Sequence, residues 1–136
     1  MKLTHHGIYI GELPDDWWAE AGMVGFVPTS KSYCVEQSSY NEIQEINIAD
    51  VAPVLRKPIF RDGSNGEGTA QERVVRILRD FRLEQHTHPV EVVEGGPQFG
   101  HRYKLVHGAH RFYCALAAGF THVPTVKGFD FNAPDN

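Results

Sequence analysis

Residues 69–83, TAQERVVRILRDFRL, place apolar side chains at the spacing of an amphipathic helix. Thr69 and Glu72 stand three residues apart at its start, where each side chain can satisfy an unpaired backbone N–H of the first turn. The predicted apolar stripe consists of Val74, Ile77, Leu78 and Phe81, and the opposite face carries Arg73, Arg76 and Arg79. A row of arginines on a helix is typical of a face exposed to solvent. The alternative is that this row faces the phosphates of a ligand.

Shorter segments alternate apolar and polar residues in the manner of strands. Ile46 and Ile48 do so before the chain reaches Pro53. HPVEVV and HRYKLV flank a loop rich in glycine, which predicts a β-hairpin. HVPTVK, residues 122–127, predicts a closing strand.

Three other regions lack a clear period. Residues 1–40 contain both tryptophans, scattered Gly and Pro and one short helical stretch, DDWWAEAG, so we interpret them as an N-terminal extension packed on or beside a domain of residues 41–136. Residues 56–68, RKPIFRDGSNGEG, predict a flexible surface segment. Residues 128–136 predict a partly frayed tail.

At YKLVHGAHR the predicted strand stops at Gly108 and the chain continues as a helix that opens with His110 and Arg111. The first turn of a helix leaves backbone N–H groups without partners and favours negative charge. Phe112, Ala115 and Leu116 form the stripe of this second helix, and Gly119 is a helix stop. The strand-to-helix junction at Gly108 therefore predicts an anion-binding site.

Composition narrows the class of protein. The formal net charge is -4, from 13 Lys and Arg against 17 Asp and Glu, so the surface as a whole does not predict nucleic-acid binding. Cys34 and Cys114 form no CxxC pair and no disulfide-rich spacing, which is typical of a reducing cytoplasm. No secretion leader and no apolar run of membrane-spanning length is evident, so we expect a cytoplasmic protein without membrane contact.

The order of these segments resembles the superfamily of the ParB N-terminal domain (ParB-like nuclease domain) and sulfiredoxin. That pattern is a strand, a capped helix, a hairpin, a G-x-[HR]-R turn and a helix that ends in G…IP-x-V. GAHR and GFTHVPTV occupy the last two places here, and the resemblance covers residues 43–128. It implies an α+β fold with a small mixed sheet and helices packed on it.

The resemblance also implies that nucleotide phosphates bind at the turn. The implied phosphate-binding residues are His107, Gly108, Ala109, His110 and Arg111, with Arg73, Arg76 and Glu72 as secondary positions. Among these, Arg111 stays charged at any working pH, whereas His110 can be a neutral donor or a cation. The implied ligand is ATP or CTP with Mg²⁺, for which Asp62, Glu67 and Glu72 are equivalent carboxylate candidates. No catalytic residue is assigned.

Two departures from the family limit the function. Ala109 stands where sulfiredoxin has its reactive cysteine, so we expect no sulfinic acid reduction. The helix-turn-helix region of ParB proteins has no counterpart in these residues, so we expect duplex DNA to be a weak partner at most. Five histidines, His86, His88, His101, His107 and His110, lack the cysteine or paired carboxylate of a recognisable metal site, and we predict no metal held by the protein alone.

The activity that these features favour is nucleotide hydrolysis or phosphoryl transfer. The alternatives are a ParB-like nuclease or DNA-processing module of a mobile element, a non-catalytic module that senses a nucleotide, and a scaffold whose site has decayed. The residues leave the nucleobase, the acceptor and the oligomeric state open.

Overall fold

A computed structural model describes residues 1–37, 42–95, 98 and 100–128. Within those ranges the chain forms six strands and three helices. The strands are β1 (Lys2–His5), β2 (Ile8–Glu12), β3 (Gln44–Asn47), β4 (Val90–Glu94), β5 (Tyr103–His107) and β6 (His122–Lys127). The helices are α1 (Asp15–Glu20), α2 (Ala70–Arg82) and α3 (Ala109–Ala118), and one 3₁₀ turn covers Ile48–Asp50. The protein is therefore a mixed α+β fold.

The main sheet has four strands in the order β3-β6-β4-β5. β6 runs antiparallel to β3 and parallel to β4, and β4 and β5 form the predicted antiparallel hairpin. In the register, Ile46 lies opposite Val123 and Val90 lies opposite Thr125. The antiparallel pairing of β4 with β5 brings the start of α3 to the same end of the sheet as the start of β4.

Helix α2 begins as the sequence predicts. Thr69 Oγ1 accepts the Glu72 N–H at 3.2 Å, and Glu72 Oε1 accepts the Thr69 N–H at 3.2 Å. These two bonds complete a capping box. Val74, Leu78 and Phe81 are buried as predicted, because this stripe faces the core.

Helix α3 packs more of its surface than the predicted stripe. Phe112 and Ala115 are fully buried and Leu116 is half-buried. Tyr113 and Cys114 are also fully buried, because α3 is enclosed by the sheet, by α2 and by the chain that follows β3.

The described part of the N-terminal extension contributes to the core. Leu3, Leu13, Met23 and Tyr33 are buried within the same apolar cluster as Phe112. The predicted short helix is present as α1. The boundary between an extension and a domain stays a prediction.

The N-terminal hairpin is attached through two imidazoles. The Nε2 of His5 and of His6 each lie 2.9 Å from a backbone carbonyl oxygen, that of Ile48 and that of Val51 respectively. In both cases the ring N–H donates and the carbonyl accepts. These bonds join β1 and the β1–β2 turn to the chain that follows β3.

The interpretation of residues 56–68 as a surface segment is wrong for its apolar part. Ile59 and Phe60 are each only 7% exposed. The Phe60 ring packs edge-on against Tyr113 of α3, with ring centroids 5.8 Å apart. Burial of these two side chains fixes the first half of the segment against α3, while residues 64–67 are exposed.

The predicted frayed tail falls largely on residues 129–136, outside the described residues, as do Gly96, Pro97 and Phe99 of the hairpin loop. In the described chain, none of the helices has the length and apolar character needed to cross a membrane.

Candidate functional site

A cleft of about 640 Å³ lies between α2, the start of α3 and residues 86–88. Its charged and imidazole-bearing lining residues are Arg56, Glu67, Arg73, Arg76, Asp80, His86, His88, His110 and Arg111. Gly108 and Ala109 complete the wall at the start of α3. The cleft thus joins parts of the chain that are distant in sequence.

Gly108 connects β5 to α3 in a conformation that only glycine adopts easily. Its φ of +94° lies in the left-handed region. A Cβ at this position would lie 3.0 Å from Val90 Cγ1 and 3.2 Å from Val90 Cα. Because Gly108 has no side chain, it supplies no side-chain cap to the first-turn N–H groups of α3. This end of α3 therefore brings backbone N–H groups without a side-chain cap to the cleft wall.

Hydrogen bonds to backbone carbonyl groups hold Arg56, Arg73 and Arg111 in the cleft. Arg56 donates from Nε and Nη2 to the Ile59 carbonyl oxygen, at 3.0 and 2.8 Å. Arg73 Nη1 donates to the Arg61 carbonyl oxygen at 2.6 Å. A guanidinium group has five N–H donors, so each arginine keeps donors for a ligand.

Arg111 is held in the same way, since its Nη1 donates to the Pro89 carbonyl oxygen at 3.1 Å. Arg76 is exposed on α2 and lines the cleft, and its side chain makes no hydrogen bond to the described residues. Among the described residues, no carboxylate lies within 4.0 Å of Arg56, Arg73, Arg76 or Arg111. These guanidinium groups therefore have no ion-pair partner within that distance, although the Asp80 carboxylate interacts with Arg76 at longer range.

Four guanidinium groups face two carboxylates in this cleft, although the whole protein is acidic with a net charge of -4. Glu67 accepts hydrogen bonds from the backbone N–H and Oγ of Ser64. Burial raises the pKa of Asp80, which the charges of Arg76 and Arg79 partly offset. The local excess of positive charge favours an anionic ligand.

His110 lies in the wall of the cleft and is only 5% exposed. Its Nε2 accepts the backbone N–H of Arg61 at 2.9 Å. Burial, followed by the charges of Arg73, Arg56 and other nearby arginines, lowers the pKa of His110 to about 4. The imidazole is therefore neutral near pH 7 and carries its hydrogen on Nδ1, which has no partner among the described residues.

The structure brings most of the predicted site residues together. Residues 108–111 line the same cleft as Arg73 and Arg76. His107 instead lines an adjoining cavity of about 250 Å³, which shares Arg56, Gly108 and Ala109 with the cleft. The Nε2 of His107 lies 3.9 Å from a Glu91 carboxylate oxygen. Glu72 does not line the cleft, because its carboxylate is engaged in the capping box of α2.

Neither Arg56 nor Arg61 was predicted from the sequence to belong to the site. Both belong to the segment that we interpreted as a flexible surface loop. The pattern RKPIFR, in which two arginines enclose a buried apolar pair, is the one signal that could have indicated them.

Neither cysteine contributes a reactive group to the cleft. Burial raises the pKa of the Cys114 thiol inside α3, which disfavours a thiolate there. Cys34 is exposed and is not among the residues that line the cleft. In the part of the chain that the structure describes, no three His, Cys, Asp or Glu residues are grouped so that they could hold a metal ion.

Comparison of the chain with models of known protein families, with curated proteins and with solved structures found no match.

Proposed function

We propose that the cleft binds the phosphate chain of a nucleotide. One observation carries this proposal: Arg56, Arg73, Arg76 and Arg111 line one cleft, and among the described residues no carboxylate oxygen lies within 4.0 Å of them. The cleft also borders the start of α3, the end of a helix that favours anions. Guanidinium groups that backbone carbonyls already hold lose little side-chain freedom when a ligand arrives. Their planar donors match the geometry of phosphate oxygens.

The size of the cleft supports a ligand larger than a single phosphate. Its volume of about 640 Å³ is in the range of small-molecule and cofactor sites. Gly108 leaves the backbone accessible to one phosphate at the start of α3, and Arg76 is placed on the opposite wall, on α2. A nucleoside diphosphate or triphosphate has enough phosphate groups to contact both the start of α3 and Arg76.

We further propose that the domain has a ParB/sulfiredoxin-like fold. The order of elements in the resemblance corresponds to β3, α2, the β4–β5 hairpin, α3 and β6. In that superfamily the turn before the helix binds nucleotide phosphates, and here that turn opens on the arginine-lined cleft. This agreement supports both the fold and the ligand class.

A nucleotide would bring Mg²⁺ to carboxylates that this cleft can supply. Glu67 and Asp80 line it, and Mg²⁺ bound with phosphates needs only one or two carboxylates plus waters. Asp62 and Glu72 are less suited, because Asp62 accepts the Ala70 N–H and Glu72 belongs to the capping box. The metal would neutralise charge on the phosphate chain.

Fixed cations at a phosphate chain also suit nucleotide hydrolysis or phosphoryl transfer, because they can stabilise charge on the transferring group. A module that senses a nucleotide without turning it over would use the same cleft. Release of inorganic phosphate from ATP and CTP, measured with and without DNA, distinguishes turnover from sensing and a DNA-dependent activity from both.

The test of binding compares two arginines of α2. Arg76 lines the cleft, whereas the exposed Arg79 does not, so Arg76→Ala and Arg79→Ala remove the same charge from the same helix. Titration calorimetry with ATP, CTP and GTP plus Mg²⁺ measures the affinities. We expect Arg76→Ala to lose about tenfold or more in affinity, as for one charge-assisted hydrogen bond. Arg79→Ala should stay near the wild-type value.

The proposal fails if none of the three nucleotides binds the wild-type protein. It fails equally if the two variants lose affinity to the same extent, because the attraction would then come from general surface charge.

A further inference from the structure

The backbone of Arg61 is held from both sides of the cleft. Its N–H donates to His110 Nε2 of α3 at 2.9 Å, and its carbonyl oxygen accepts from Arg73 Nη1 of α2 at 2.6 Å. The neighbouring Phe60 ring lies 5.6 Å from the His110 ring in an edge-on contact. One loop residue thus connects the two helices that form the cleft.

The same loop segment carries a cleft arginine. Arg56 lines the cleft and donates two hydrogen bonds to the carbonyl oxygen of Ile59, two residues before Arg61. The position of Arg56 therefore depends on how residues 59–61 are anchored. The bond from Arg61 to His110 is the polar anchor of that stretch on α3, beside the buried Phe60 ring.

The contact requires a neutral imidazole. His110 Nε2 can accept the Arg61 N–H only while it keeps its lone pair, and a protonated ring would turn a hydrogen toward that N–H. The low pKa of His110, about 4, keeps the acceptor available throughout the neutral range. A cationic His110 that binds phosphate directly is incompatible with this hydrogen bond.

We infer, on the basis of the proposed phosphate site, that His110 is a positioning residue. It holds the backbone of Arg61, so that Arg56 and Arg73 present their guanidinium groups to the ligand, and it does not itself contact the phosphates.

Three substitutions separate this role from direct contact. His110→Gln can place Oε1 near the position of Nε2 and keep an acceptor for the Arg61 N–H. His110→Leu removes the acceptor at similar volume, and His110→Asn keeps a polar side chain that is too short to reach Arg61. Calorimetry with inorganic pyrophosphate and triphosphate measures affinity, and amide hydrogen exchange measures protection of the Arg61 N–H. Thermal melts define a temperature at which the variants are folded.

We expect His110→Gln to keep both the affinity and the Arg61 protection. His110→Leu and His110→Asn should lose protection of the Arg61 amide and about tenfold in affinity, as when one charged contact is lost. The difference in affinity between wild type and His110→Gln should stay constant from pH 6 to 8, because neither side chain changes charge there.

Other outcomes overturn the inference. If His110→Gln loses as much affinity as His110→Leu while the Arg61 amide stays protected, His110 touches the ligand. If His110→Leu and His110→Asn retain both the affinity and the protection of the Arg61 amide, the hydrogen bond between His110 and Arg61 does not position the cleft arginines. If the wild-type protein binds neither probe, the phosphate site fails, and exchange of the Arg61 amide still decides whether His110 holds the loop.

Discussion

At the scale of single residues, His110 shows how burial changes the role of a side chain. From its position beside Arg111 it resembles a phosphate-binding cation, but it is buried and accepts a backbone N–H. Cations that surround a buried imidazole favour its neutral form. Its protonation is consequently coupled to folding.

We predict that His110 makes the protein less stable in acid. The pKa of His110 falls from 6.5 in the unfolded chain to about 4 in the folded protein. Between these two pKa values the unfolded state binds a proton that the folded state excludes. The contribution of His110 to the stability of the folded protein is therefore full above pH 6.5 and decreases as the pH falls toward 4. At 1.36 kcal/mol per pKa unit, the wild type should lose about 2 to 3 kcal/mol relative to His110→Gln between pH 7.5 and 4.5.

Urea denaturation of both proteins at the two pH values provides the measurement. The pKa of buried His5 is also lowered, by its burial first, but His5 is present in both proteins and its effect cancels in the difference. A difference in unfolding free energy that does not change with pH would contradict the prediction.

At the scale of elements, the junction of β5 and α3 builds the cleft wall. Gly108 turns the chain with a left-handed φ and lets β5 pass directly into α3 beside Val90 of β4. The site therefore depends on a strand-to-helix connection of one residue.

We predict that Gly108→Ala destabilises the protein by about 1 to 3 kcal/mol, because a Cβ adds left-handed strain and a contact of 3.0 Å with Val90. Gly66→Ala is the matched control, since Gly66 has a φ of +83° but no atom within 4 Å of an added Cβ. That variant should cost only the backbone strain, about 1 kcal/mol. Chemical denaturation measures both, and equal losses would show that the Val90 contact has no effect.

At the scale of the whole molecule, charge is distributed unevenly. The protein has a net charge of -4, yet its cleft holds four guanidinium groups, three of them at least half-buried against backbone carbonyls. A concave, local site of this kind suits a small anion better than an extended duplex.

We therefore predict weak binding of duplex DNA that falls steeply with salt, as expected for contacts to phosphates alone. Fluorescence anisotropy at about 50 and 200 mM salt measures it. Arg76→Ala and Arg79→Ala should weaken this binding equally, in contrast to their effects on nucleotides. A sequence-selective footprint at physiological salt would contradict the prediction and favour a DNA-processing function.

Much of the fold was predictable because its signals are local. The capping box of α2, the glycines at both ends of α3 and the alternation in β4 and β5 involve residues a few positions apart. Such patterns reflect hydrogen bonds within a turn and the period of each element, which sequence displays directly. The same local chemistry indicated an anion seat at the start of α3.

The make-up of the cleft, by contrast, depended on the tertiary structure. His110 and Arg61 are separated by 49 positions, and they meet in the folded protein where Phe60 packs on α3. Tertiary packing also buries His110, which becomes a neutral hydrogen-bond acceptor. It places Arg56 in the cleft lining and His107 outside that lining. The sequence by itself determined the elements and the glycine junction, because those follow from neighbouring residues. Burial, pKa and the choice of arginines were decided by the tertiary structure, because each depends on groups that distant parts of the chain supply.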